Sequence, residues 1–253
     1  MFLAFRCLYG VHESVPHIKF IKNMNTTIVF KLTDENGQTL NNTQWGNNIS
    51  HTATGNDKEL CSDGWIHYYT NPLLAVLLNP IHADFKSPKL WEAEASGEII
   101  NEPLKSGCKT LTTIREIPLP EISLVHRDAF GILCAKEVCK DEAWNLWAVK
   151  WLSGEDRSEN SARAARAAAA AAYACAYDAT YACAYDATSN AVHHAVWYAS
   201  NVAANASNVA ANASGCVTRA SANAADAAAY AAAYAANKSI NFVELAEKAM
   251  TFK

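Results

Sequence analysis

Basic charge is scarce in this chain: 21 Lys and Arg stand against 25 Asp and Glu, a formal net charge of −4. Without a basic excess it is not expected to bind nucleic acid by neutralising phosphates, and the surplus of acid is too small for a mimic of DNA. Paired cysteines are missing as well. Cys7, Cys61, Cys108, Cys134, Cys139, Cys175, Cys183 and Cys216 are scattered with no Cys-x-x-Cys spacing. Neither a zinc centre nor a dense disulfide scaffold is expected, no metal or cofactor is assigned, and reduced thiols suit a cytoplasmic protein. Long apolar runs are absent too. The longest stretch free of polar side chains other than Tyr and Cys, residues 167–177, ends at Asp178, well short of the roughly 20 residues that cross a bilayer. The start Met-Phe-Leu-Ala-Phe meets Arg6 at once, so neither a signal peptide nor a membrane partner is expected.

Alanine is abundant and unevenly placed. Of 48 alanines, 38 lie after residue 150, and residues 161–237 are almost half alanine. Two perfect tandem repeats fall there: Tyr-Ala-Cys-Ala-Tyr-Asp-Ala-Thr at 173–180 and 181–188, and Ser-Asn-Val-Ala-Ala-Asn-Ala at 200–206 and 207–213. Alanine has the best helix propensity, so helices broken near 188–190 and 214–215 are expected, with Tyr173, Tyr177, Tyr181 and Tyr185 forming a slowly drifting ridge. Helices faced with alanine need close partners, which points to a homo-oligomer.

The front of the chain patterns differently. Residues 1–24 read as an N-terminal extension, since Met24 precedes the first clear pattern. Residues 26–32 read as a strand, and Asn36-Gly37 as the turn of a hairpin. Residues 41–57, rich in Asn, Thr and Gly around Trp45 and His51, read as a long surface loop. Asp63-Gly64 leads into a short aromatic strand at His67-Tyr68-Tyr69. Pro72 opens a helix that Asn79-Pro80 is expected to end. Residues 91–95 alternate as a half-buried strand stopping at Gly97, and residues 110–117 form another. Phe130, Leu133, Cys134 and Val138 recur at helical spacing, then Trp144, Trp147 and Trp151 share one helix face that Gly154 closes. Asp156 with Glu159, and Asn241 with Glu244, have the spacing of helix N-caps. The expected fold is α+β: a small mixed α/β N-terminal domain at 25–135, then an Ala-rich α-helical bundle at 136–253.

Few of these residues gather into chemistry. Cys61, His67 and His82 have neither zinc-ligand spacing nor an evident nucleophile–base arrangement. Cys134 and Cys139 diverge by about 140° on a helix, and His193 and His194 by about 100°. Glu92, Glu94 and Glu98 lie on a strand that follows His67, Tyr68 and Tyr69 in the chain, a set of groups suited to general acid–base or sugar-transfer chemistry; a solvated strand face accounts for the glutamates more simply. Arg157, Arg163 and Arg166 sit at a helix start, where cations are disfavoured unless an anion binds. With Trp144 and Tyr173 they make a candidate ligand site, against which stands ordinary pairing such as Glu159 with Arg163.

Two resemblances extend this reading. The His-Tyr-Tyr strand followed by a Glu-bearing strand resembles the order in ADP-ribosyltransferases, which implies an NAD-using enzyme with His67, Tyr69 and Glu94 as catalytic residues. The blocks Leu60-Cys-Ser-Asp-Gly-Trp-Ile-His67, Pro72-Leu-Leu-Ala-Val-Leu-Leu-Asn-Pro-Ile-His82, Leu90-Trp-Glu-Ala-Glu94 and Phe130-Gly-Ile-Leu-Cys-Ala135, with the Ala-rich tail, resemble hypothetical proteins of tailed phages and prophages. The tail alone is similar to immunity-protein-5-like sequences. The phage resemblance implies a setting in the host cytoplasm and no catalytic residues. The expectation drawn from it is a non-enzymatic accessory protein that binds a host defence factor or a nucleotide-like signal; the alternatives are the NAD-using enzyme and an architectural, self-assembling helical protein.

Overall fold

The computed structural model describes residues 27–137, 139–158, 160–165 and 240–253. The expected N-terminal extension, the tandem repeats, the tyrosine ridge and the Ala-rich bundle lie outside them. The described chain is α+β, with strands β1 (Thr27–Thr33), β2 (Gln38–Thr39), β3 (Thr43–Gln44), β4 (Ile49–Thr52), β5 (Ile66–Tyr68), β6 (Lys89–Asn101) and β7 (Ser106–Ile117). Its named helices are α1 (Pro72–His82), α2 (Leu124–Lys136), α3 (Glu142–Ser153) and α4 (Phe242–Ala249). An antiparallel sheet runs β1-β6-β7-β4, and β5 also pairs with β7.

The turn at Asn36-Gly37 forms: Gly37 takes φ +77°, and Asp34 accepts hydrogen bonds from the amides of Asn36 and Gln38. The strand leaving it does not return along β1, however. β2 pairs with β3, while β1 pairs with β6 from far along the chain. The expected surface loop is also more ordered than its composition suggests, because β4 adds to β7 and Trp45 is buried at 3% exposure. Gly97 does not end β6. It takes φ +80° inside a break of register between Ser96 and Ile99, a bulge that lets the strand bend and continue.

That bending closes the sheet on itself. β1 is bonded to β6 on one edge, and on the other Phe30 and Tyr69 exchange two backbone hydrogen bonds of 2.8 Å. Since Tyr69 continues β5 and β5 pairs with β7, hydrogen bonding runs β1-β6-β7-β5 and back to β1. Alternation along the strands sends Val29, Ala93, Ala95, Cys108, Leu111 and Tyr68 into one buried cluster, which Trp45 joins. Several of these side chains are small, as a tightly curled sheet requires.

On the other face Leu32, Leu90 and Tyr69 pack into a second core with α1, α2, α3 and α4. The indoles of α3 form its centre, Trp144 and Trp151 each being 2% exposed. Caps act as expected at Gly154 (φ +80°) and at Asn241, whose side chain accepts from the Glu244 amide, and Asn71 caps α1 ahead of Pro72. Residues on both sides of position 135 share this core.

Pro80 does not end α1, which runs to His82. Proline has no amide hydrogen, so the Val76 carbonyl four residues back loses its helical donor. The guanidinium of Arg127 on α2 supplies one, its Nη1 donating to Val76 O at 3.3 Å and Leu77 O at 3.2 Å. Asn79 then clamps the exit by bonding both the amide and the carbonyl of Phe85.

Candidate ligand-binding cleft

Where β1 and β5 meet the segment 34–54, a cleft of about 1070 Å³ opens. Its lining includes Lys31, Trp45, His51, Cys61, Trp65, His67, Tyr69, His82 and Lys105. Each is placed by a local reason. Lys31 alternates with Val29 and Thr33 and so points into the interior of the curled sheet. Trp45 is drawn over that interior by its amide, which donates to Gly37 O at 2.7 Å, and by its indole, which donates to Thr39 Oγ1 at 2.9 Å. His51 stands edge-on to Trp45, ring centroids 4.6 Å apart, and its Nε2 bonds Gln44 O. Lys109 lies over the Trp65 ring at 4.2 Å while donating to Gly64 O at 2.7 Å.

Lys31 is the unusual member. It is 9% exposed, its Nζ donates to His67 O at 2.8 Å, and it lies 5.2 Å from the centre of the Trp45 ring. None of the ion pairs among the described residues includes it. Desolvation by burial pulls its pKa from 10.5 down to about 8. Cys108 cannot serve as a counter-ion at neutral pH, because burial pushes its thiol up to about 11.

His67 and His82 are held neutral. Burial, and after it the proximity of Lys105 and His67, brings His82 down to about 3, and its Nδ1 is hydrogen-bonded to the Tyr69 hydroxyl at 2.8 Å. His67 is lowered by burial first and then by Lys105 and Lys31; its bond to Leu60 O acts in the opposite direction. Since a carbonyl only accepts, that bond places a proton on Nε2 and leaves Nδ1 of the neutral ring with a lone pair. Lys105 donates to Cys61 Sγ at 3.0 Å. The two carboxylates in the lining are Asp34, occupied by two turn amides, and Asp63. Besides these carboxylates the cleft is lined by the ammonium groups of Lys31 and Lys105, the neutral imidazoles of His67 and His82, and aromatic rings.

His67 and Tyr69, expected together from their order in the sequence, do line one cleft. Glu94 is not brought to it. Its register neighbours are Ile28 on β1 and Thr112 on β7, it lies on the face of β6 opposite Ala93 and Ala95, and nearby Glu92 pairs with Arg115 at 2.7 Å. Of the arginine group, Arg157 and Arg163 fall among the described residues. Arg157 donates to Trp151 O at 2.9 Å and to Lys253 O, and lies 4.8 Å from the centre of the Trp151 ring. It ties the loop after α3 to the segment following α4. Arg163 is exposed, Trp144 is sealed in the core, and Arg166 and Tyr173 lie outside the described residues.

Sequence reasoning missed Lys31, Trp45 and Lys105. A signal for Lys31 was present. In Val29-Phe-Lys-Leu-Thr33 Phe30 and Leu32 make one strand face apolar and Val29 begins the other, Thr33 being the one polar neighbour, so a lysine there has little watery side to turn to. No comparable signal marks Trp45 or Lys105, which reach the cleft through loop geometry.

Among the described residues no helix is long and apolar enough to cross a membrane, and no three His, Cys, Asp or Glu side chains group as a metal ion requires. No family model, no curated protein and no solved structure matches the chain.

Proposed function

We propose that this protein is a binding protein whose cleft captures a small planar anion of the nucleotide-like kind. One observation carries the reading: a buried ammonium, Lys31, stands at the base of an open cleft with no anionic partner among the described residues. Lowering its pKa from 10.5 to about 8 corresponds to a cost of about 3 kcal/mol in holding the charge in the folded protein at pH 7. An anionic ligand offsets that cost on binding. The rings of Trp45, Trp65 and Tyr69 border the cleft, and Lys105 adds a second cation. Of the two targets expected for a phage-type accessory protein, a host factor or a nucleotide-like signal, such a cleft favours the small molecule. Sequestering that signal is how the protein would counter host defence. The self-associating Ala-rich bundle stays part of this proposal as the element that would set subunit number.

Titrating tryptophan fluorescence with a panel of nucleoside monophosphates at pH 7 tests the reading. Binding that weakens about tenfold or more in Lys31→Met and is unchanged in Arg163→Ala supports the cleft. Binding lost in Arg163→Ala and kept in Lys31→Met moves the site to the arginines, and no binding by any member of the panel refutes the proposal.

A further inference from the structure

The cleft carries chemistry beyond ionic attraction. Lys31 Nζ uses one hydrogen bond, to the His67 carbonyl, and otherwise meets the Trp45 face and the open cleft. An amine so placed, facing space large enough for a small molecule and in no ion pair among the described residues, is positioned to act as a nucleophile. We propose that Lys31 captures small aldehydes or ketones bearing an anionic group, forming a reversible imine at the base of the cleft. This rests on the cleft reading above and narrows its ligand class to carbonyl compounds.

The step balances without an oxidant or reductant. The Nζ lone pair attacks the carbonyl carbon, a C–N bond forms, and the carbonyl π pair moves to oxygen. That oxygen takes one proton from nitrogen and one from solvent and leaves as water when the C=N bond forms, and the protonated imine returns its remaining nitrogen proton to solvent. Hydrolysis reverses every step, so capture is covalent yet releasable. The groups facing Lys31 leave its amine available. Cys108 on β7 and Tyr68 on β5 stay neutral because burial raises both; His67 on β5 stays neutral because burial lowers it; and the two carboxylates of the lining, Asp34, whose Oδ1 accepts from two turn amides, and Asp63, form no ion pair with Lys31. Lys105, also in the lining, is the cation available to the ligand's anionic group, and His82 is neutral. The lowered pKa of Lys31 supports the same chemistry, since near pH 8 about half of this amine is unprotonated, against under about one per cent of an ordinary surface lysine.

The test uses the full chain with 4-formylbenzoate as probe and benzaldehyde as its uncharged comparator. Each is incubated at pH 8 with cyanoborohydride, which reduces the imine to a stable secondary amine, and peptide mass spectrometry then locates the adduct. Because the site is mapped in the unaltered protein, the test does not depend on a variant folding; Lys31→Arg serves as a further control. Expected is an adduct at Lys31 exceeding that at any other lysine by about tenfold or more, forming faster with the charged probe and slowing as pH falls from 8 to 6. Modification spread evenly over other lysines, or unchanged in Lys31→Arg, overturns the proposal. If a nucleoside monophosphate binds the cleft while no Lys31 adduct forms, imine capture fails and the cleft reading stands. If Lys31 reacts equally with both probes and no nucleotide binds, the amine chemistry stands and the anion reading fails.

Discussion

Replacing Lys31 by methionine should make the protein more stable at neutral pH, contrary to the usual result of altering a buried residue. The side chains are similar in length, so Met fills much of the same space without a charge. For a base whose folded pKa of about 8 lies below its unfolded value of 10.5, both states carry the proton below pH 8, and the folded state bears the full cost of burying it. That cost is about 2.5 pKa units at 1.36 kcal/mol each, or about 3 kcal/mol. Between pH 8 and pH 10.5 the unfolded chain keeps the proton that the folded chain has lost, so wild-type stability rises with pH through this window. Methionine cannot donate to the His67 carbonyl, which returns about 1 kcal/mol. The net expectation is a gain of about 2 kcal/mol at pH 7, reversing to a small loss by pH 10.5. Urea unfolding followed by tryptophan fluorescence at pH 7, 8.5 and 10 measures it. A variant less stable than wild type at pH 7, or a gap that does not change with pH, would refute the claim that Lys31 is an uncompensated buried charge.

Other consequences of the packing can be checked in the same way. His82 has a folded value near 3 against 6.5 unfolded, so as pH falls from 6.5 towards 3 the unfolded chain gains a proton that the folded chain refuses. Stability should drop across that window by up to about 4–5 kcal/mol, and His82→Phe should flatten this part of a melting-temperature profile. Arg127→Met removes the donor that serves the Val76 and Leu77 carbonyls and should cost about 1–3 kcal/mol in chemical denaturation. Adding Pro80→Ala to that variant restores an amide donor to Val76, so the double variant should recover part of the loss; strict additivity of the two changes would disprove the coupling. Gly107→Ala would put a methyl group 2.5 Å from Leu60 Cδ1 and 3.0 Å from Trp65 Cβ. A loss of about 1–3 kcal/mol, with weakened binding at the neighbouring cleft, is expected from calorimetry and the fluorescence titration.

Much of the local structure was legible in the sequence, because its causes lie within a few residues of its effects. Asn71-Pro72 opens α1, Gly154 closes α3 in the left-handed conformation, Asn241 caps α4, and the three indoles share a buried face because they repeat at the helical period. The alternation around Trp91 and Thr112 likewise specified strands. Tertiary structure decided everything that needed a distant partner. Whether Asn36-Gly37 makes a hairpin depends on which strand claims the β1 edges, and β6 and Tyr69 claim both. Whether Pro80 breaks a helix depends on a guanidinium from α2. Trp45 is buried because the sheet curls beneath it, and Glu94 stays outside the cleft because its position on β6 turns it to the opposite face. The cleft belongs to this second class. Its ammonium, imidazoles and indoles come from separated segments, and no residue spacing records that closure of a sheet strips Lys31 of water while leaving it without an ion pair among the described residues.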